Sequence, residues 1–302
     1  MNIEELVQMY NRKLHKLKDE NFYKNILTYN NNLGRFNIIN RILIRVQNKQ
    51  AIDVKTLEEW SIEGRNVSKD AKPIYLIHPI FKIKYISTKT DKEVENMDLN
   101  PIEINKALEL GIITKIEDVS DLDKQIVYDI SDTKSFDNRK YSIDKTVISA
   151  ENILNSISLL TGREIVIANS DKFNKNFINI KNYKNITDLC INLSKIVANI
   201  YADTVDIKCK ELFIKSLQYS ICSVFNVKYD VQITELDDLE LNNIILVADN
   251  VNNIIFKLKS LVDTSNNKEF IDATVKLNKV HKAEIILNMM EALYINKRMK
   301  GN

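Results

Sequence analysis

Apolar side chains recur at helical spacing near the start of the chain, at Ile3, Leu6, Val7, Tyr10, Leu14 and Leu17, which predicts an amphipathic helix over 3–17. A second stripe of Phe36, Ile39, Leu43 and Val46 predicts a helix over 35–47. Residues 56–63 (TLEEWSIE) place Thr56 at a capping position with Glu59 three residues on and Gly64 just beyond, the pattern of a short capped helix. The period then changes. Residues 74–86 (IYLIHPIFKIKYI) are rich in β-branched and aromatic side chains and predict a strand interrupted near Pro79. Residues 87–125 lack strong periodicity and read as an acidic insertion or linker holding one short helix around 102–110; strand character returns at 126–131.

The second half predicts a helix near 149–161, strands at 163–168 and 177–180, and helices over 186–201, 208–225, 241–262 and 268–297. The order of elements is α+β twice over, so the expected fold class is α+β in two domains, residues 1–140 and 141–302, with the boundary between about 134 and 147. A chain of 302 residues is long enough for two modest cores.

Composition removes several classes. No apolar run approaches the roughly 20 residues that cross a bilayer, and the opening MNIEELVQMY lacks the apolar region of a secretory signal. Cys190, Cys209 and Cys222 form neither an even disulfide framework nor a CxxC pair, so a reducing cytoplasmic setting is expected. The five glycines make no GxxxxGK[ST], GxGxxG or GxSxG motif. His15, His78 and His281 are never spaced i, i+4, and the pairs Glu58-Glu59 and Asp237-Asp238 read as solvated helix faces. No cofactor or metal is implied.

One stretch is more specific. Residues 35–80 carry Asn40, Leu43 and Ile44, Gln47, Trp60, Gly64-Arg65-Asn66-Val67, Lys69, Lys72 and an Ile74–Pro79 strand. This text resembles the N-terminal domain of ArdC-type antirestriction proteins of plasmids, phages and conjugative elements. It departs from the pattern at Asp70-Ala71, where a glycine-containing turn is usual; YDISDT, residues 128–133, resembles the family's closing strand. The second half resembles the zincin metallopeptidase domain that follows in that family. Its HExxH positions fall here on Asn192, Leu193, Ser194, Lys195 and Ile196, and its glutamate-ligand position falls on Lys215. None of these is a zinc ligand, and lysines repel a dication. The resemblance therefore implies a DNA-binding front domain and a degenerate, zincin-like rear domain that is not an enzyme.

Charge fits the same division. Residues 1–90 hold 16 Lys/Arg against 9 Asp/Glu, and residues 91–160 hold 8 against 15. A basic front suggests an anionic partner, with lysines that merely solvate helix faces as the blander reading; DNA, single-stranded by the resemblance, is the expected partner. Candidate contacts are Arg35, Arg41 and Arg45 on and beside one predicted helix, Arg65, Lys69 and Lys72 after the next, and Lys82 and Lys84 along the strand. Arg41 and Arg45, at i and i+4, share a helix face. Trp60 offers base stacking, with burial beneath its helix the blander reading; capping inside the fold is the blander reading of Asn40 and Gln47. A different class of function stays open: a protein-interaction module that docks a host defence protein through the acidic region or the rear domain.

Overall fold

The computed structural model of the chain describes residues 1–28, 32–94, 100–136, 149–203, 209–234 and 236–263. Helix α1 (Ile3–Lys13) begins at Asn2 in a reciprocal box with Glu5, and the last turn of the predicted helix tightens into a 3₁₀ segment at Leu14–Lys18. Helix α2 (Glu20–Ile26) follows Asp19, which caps it through Phe22 N–H. Helix α3 (Ile38–Gln47) starts three residues later than the periodicity predicts. Asn37 takes the Asn40 N–H and fixes the start, leaving Arg35 in a preceding 3₁₀ turn.

Strand β1 (Val54–Lys55) leads into α4 (Leu57–Ile62), where the predicted Thr56–Glu59 capping box is formed and Gly64 takes φ +71°, a conformation that favours glycine. Strands β2 (Arg65–Val67), β3 (Ile74–Ser87) and β4 (Glu93–Val94), helix α5 (Pro101–Glu109), and strands β5 (Ile113–Asp129) and β6 (Thr133–Ser135) complete the front half. The sheets are β1-β5-β3-β4 and a two-stranded β2-β6 ribbon.

Two expectations are corrected here. The acidic segment is not a linker, because β5 runs through it and pairs antiparallel with all of β3, from Ile74↔Val127 to Ser87↔Ile113. Pro79 does not interrupt β3 either. Tyr75 and Ile77 turn their backbone groups away from β5, and Pro79 shares their parity, so the missing N–H falls on the outer edge and costs no ladder bond. The register shifts only afterwards, at Ile80/Phe81.

That outer edge is closed by side chains. Asn40 Nδ2 donates to Ile77 O at 2.8 Å and Asn40 Oδ1 accepts from Ile77 N–H at 2.9 Å. Gln47 repeats the pairing with Tyr75, at 2.8 and 3.0 Å. Each carboxamide thus stands in for one residue of a neighbouring strand.

The rear half comprises α6 (Ala150–Thr161), β7 (Glu164–Ile167), β8 (Lys172–Phe173), β9 (Phe177–Ile180), α7 (Ile186–Ala202), α8 (Lys210–Val224) and α9 (Leu241–Asp263). Strands β7 and β9 are parallel and β8 joins β9 antiparallel at the edge. The helix predicted over 268–297 and the boundary region at 137–148 lie outside the described residues. The fold is α+β, each half with its own sheets, yet one hydrophobic cluster runs from Leu6 through Leu43, Val197 and Leu217 to Leu258. Polar ties cross the same divide: Tyr23 Oη lies 3.0 Å from Ser216 Oγ, and Lys18 Nζ donates to Asp237 O.

Candidate nucleic-acid interface

Helix α3 does not present the arginine face expected of it. Its first eight residues, Ile38 to Arg45, are all buried. Arg41 is 2% exposed and spans between elements, donating from Nη1 to Asn252 Oδ1 on α9 at 3.1 Å and from Nη2 to Thr28 O at 2.8 Å. Arg45 donates to Lys49 O and Ala51 O, closing the turn after α3. Burial, together with the neighbouring charge of Arg41, pulls the Arg45 guanidinium down to about 10, against the opposing effect of Asp129. Neither arginine can reach a phosphate, so both are removed from the interface.

The other predicted contacts divide. Arg35 is held by Glu59 and Val54 O and lies over the Phe36 ring. Glu59 answers this pairing. Burial would push its carboxyl up, but the Thr56 N–H and the Arg35 guanidinium outweigh burial and hold it below the usual range. Trp60 is fully buried, with Nε1 donating to Tyr128 O at 2.8 Å and Lys55 Nζ over its ring, so it cannot stack on a base. Arg65 donates through Nε to Thr133 Oγ1 at 2.7 Å and ties the ribbon together. Lys84 is half-buried, while Lys69, Lys72 and Lys82 are exposed. Lys82 lies on β3, paired in backbone register with Asp118 of β5, and so on a different sheet from Arg65.

What the fold does gather is the β2–β6 ribbon. Its register sets Asn66 opposite Lys134, and the Phe136 N–H donates to Gly64 O at 2.9 Å, extending the pairing by one step. Alternate residues share a face, so Asn66, Lys134 and Phe136 point outward while Arg65, Val67, Thr133 and Ser135 point inward. Phe136 is 58% exposed, with its ring over Gly64, 3.6 Å from where a Cβ would sit. Exposed Ile62 ends the preceding helix, and the exposed Lys69 and Lys72 flank the turn that leaves β2. Among the described residues, none of Lys69, Lys72 and Lys134 carries an ion pair. Lys134 and Phe136 escape the sequence reading. The available signal is TKSFDNRK, residues 133–140, where three cations follow the acidic block.

In the rear half, the positions matched to metal ligands lie on α7 and α8. Asn192 Nδ2 donates to Asp188 O, Leu193 and Ser194 are buried, and Ile196 is 8% exposed. Lys215 pairs with Glu211 at 3.0 Å. Among the described residues no group of three or more His, Cys, Asp or Glu is placed to hold a metal ion. Cys190 and Cys222 are buried on facing helices, with Ser194 Oγ 3.4 Å from Cys222 Sγ. A cleft of about 520 Å³ opens between β8 and α7, lined by Asp171, Lys172, Phe173, Asn192, Lys195, Ile196 and Asn199.

Neither a family model nor a curated protein sequence matches the chain significantly. Among solved structures, the chain is similar to two crystal structures of the antirestriction ArdC protein from the R388 plasmid. The metal-free structure shares 12% identity at a TM-score of 0.46, covering 86% of this chain and 98% of that one. The Mn(II)-bound structure shares 11% identity at a TM-score of 0.41, covering 87% and 98%.

Proposed function

We propose that this chain is a non-catalytic protein that binds single-stranded DNA with little sequence preference, through the β2–β6 ribbon rather than through helix α3. The observation that carries the reading is the outward face of that ribbon. It joins an exposed aromatic ring at Phe136 to the ammonium of Lys134 and the amide of Asn66, with Lys69 and Lys72 beside it. Phosphates attract the cations by counterion release, and the Phe136 ring, 58% exposed beside Gly64, offers aromatic surface to a base. The front motif's resemblance to ArdC-type proteins supports the same partner and a role on a mobile element, opposing restriction. The non-catalytic assignment rests on chemistry: Asn192, Ile196 and Lys215 stand where the zincin pattern requires metal ligands, and Leu193 stands where it requires a general base.

The test is titration of a labelled single-stranded oligonucleotide by fluorescence anisotropy at several salt concentrations. Replacing Lys69 and Lys134 with Glu should flatten the slope of log affinity against log salt by about 0.7 per lost contact. Phe136→Ala should cost about 1–3 kcal/mol of affinity with the slope unchanged. Wild-type affinity in both variants would remove the ribbon from the interface.

A second reading is favoured by one observation. The arm formed by β3, α5 and β5 exposes Ile83, Ile102, Leu110, Ile112 and Ile116, at 40 to 79%. Exposed aliphatics in such number mark protein contact, and β5 adds four acidic residues between 117 and 123. Docking of a host protein on this arm is the alternative, and it predicts loss of partner capture by Ile83→Asp with DNA binding intact.

A further inference from the structure

The cleft between β8 and α7 has a composition that no metal or peptide-cleaving role explains. Helix α7 contributes Asn192, Lys195 and Asn199, spaced i, i+3 and i+7 and therefore on one face. The edge strand contributes Lys172 and Phe173. Both lysines are exposed, and among the described residues neither ammonium has an ion pair or hydrogen bond. The single lining carboxylate, Asp171, is already committed: Tyr183 Oη donates to one oxygen at 2.5 Å and Lys181 N–H to the other at 2.8 Å. A third cation stands behind the aromatic wall, since the Arg163 guanidinium lies 5.7 Å from the Phe173 ring and its buried Nη1 has no hydrogen-bond partner among the described residues. Cationic groups thus outnumber uncommitted anionic ones, and the cleft attracts a dianion rather than a dication.

The amides define the rest of the ligand. Asn192 and Asn199 each spend Nδ2 on a carbonyl one turn back in their own helix, on Asp188 O and Lys195 O. Their Oδ1 atoms accept no hydrogen bond among the described residues, so each offers an acceptor to N–H groups of a ligand. Phe173, 40% exposed, and Ile196 supply apolar surface beside them. A ligand that combines a phosphate dianion, a flat aromatic ring and N–H donors on that ring is a phosphorylated nucleoside. The cleft volume of about 520 Å³ falls within the range of roughly 300–1,000 Å³ typical of small-molecule sites.

We infer that the β8–α7 cleft binds a nucleoside monophosphate, with Lys172 and Lys195 on the phosphate, Phe173 against the base and the Asn192 and Asn199 carbonyls accepting from its edge. Free nucleotide and the 5′-phosphorylated end of a DNA strand share this chemistry. Isothermal titration of the full chain with adenosine monophosphate, adenosine and inorganic phosphate tests it. The nucleotide should bind, with adenosine and phosphate each at least about tenfold weaker, because each keeps only part of the contact set. The double variant Lys172→Glu, Lys195→Glu should weaken the nucleotide about ten- to hundredfold. Circular dichroism checks its fold, and Lys172→Gln with Lys195→Gln provides a milder pair of exposed changes. Lys134→Glu, on the β2–β6 ribbon and outside the cleft lining, should leave nucleotide binding unaltered, which separates this site from the proposed DNA interface. Competition by a 5′-phosphorylated oligonucleotide, and none by its unphosphorylated form, identifies a strand end as the ligand; no competition by either identifies the free nucleotide. Absence of nucleotide and phosphorylated-oligonucleotide binding at millimolar concentration, or binding equal in the lysine variants, overturns the inference.

Discussion

Replacing Arg41 with Ala should unfold the protein more readily and leave the proposed DNA contacts alone. The guanidinium is 2% exposed and holds α3 to α9 through Asn252 Oδ1 and to the end of α2 through Thr28 O. Alanine leaves both acceptors without that donor, at about 1–3 kcal/mol each, and empties the space the side chain fills between the helices. Release of the buried charge offsets part of this loss. The net destabilisation expected is about 2–5 kcal/mol, the range for truncating a large buried side chain to alanine. For a chain of this size that corresponds to a melting temperature lower by about 10 °C, or a urea midpoint lower by about 1–2 M. Thermal and urea denaturation followed by circular dichroism measure it, with Lys69→Ala as a surface control expected within about 0.5 kcal/mol of wild type. Arg41→Met, which keeps most of the stem, should recover part of the loss. An Arg41→Ala protein that melts like wild type but binds DNA with a flattened salt slope would refute the structural role and restore the arginine to the interface.

The other expectations are shorter. Asn40→Asp sets a carboxylate against Ile77 O and removes its donor, so the melting curve should fall by an amount equal to about 1–3 kcal/mol. Glu59 has a folded value below its ordinary 4.5, so its contribution is complete above 4.5 and is lost as pH falls through the lower folded value. Acid denaturation of Glu59→Gln should therefore show a flatter profile below pH 4.5 than wild type, with about 0–1 kcal/mol less stability at neutral pH, since Gln keeps the capping bond and loses only the partly exposed pair with Arg35. Elemental analysis of protein purified without chelator should find far less than one zinc per chain, and chelator should leave the melting temperature unchanged. Residues 1–136 expressed without the rear helices should lack a cooperative transition, because α8 and α9 cover part of their core.

Helices were legible wherever one side of the helix faces water. The α6, α7, α8 and α9 patterns predict their helices to within a few residues, and the Thr56–Glu59 box locates α4. Helix α3 obeys the same periodicity, yet the inference from Arg41 and Arg45 to a solvent face fails because the helix is enclosed on every side. At about 100° per residue, Ile44 brackets the two arginines on one flank and Ile38 and Ile42 on the other, which is the mark of a charge set inside a core. Strand β5 was hidden for the opposite reason. Its arm has both faces exposed, so no alternation of apolar and polar residues distinguishes it from a loop. Phe136 and Lys134 join the proposed interface only through pairing with β2, a contact about 70 residues distant in sequence that no local pattern encodes.

The two carboxamides that seal β3 separate hydrogen exchange from strand pairing. The Tyr75 and Ile77 amide hydrogens face away from β5 and, among the described residues, have no strand beside them, but each is held by a side chain of a buried helix. They should exchange with solvent as slowly as the central ladder, and only when α3 itself detaches.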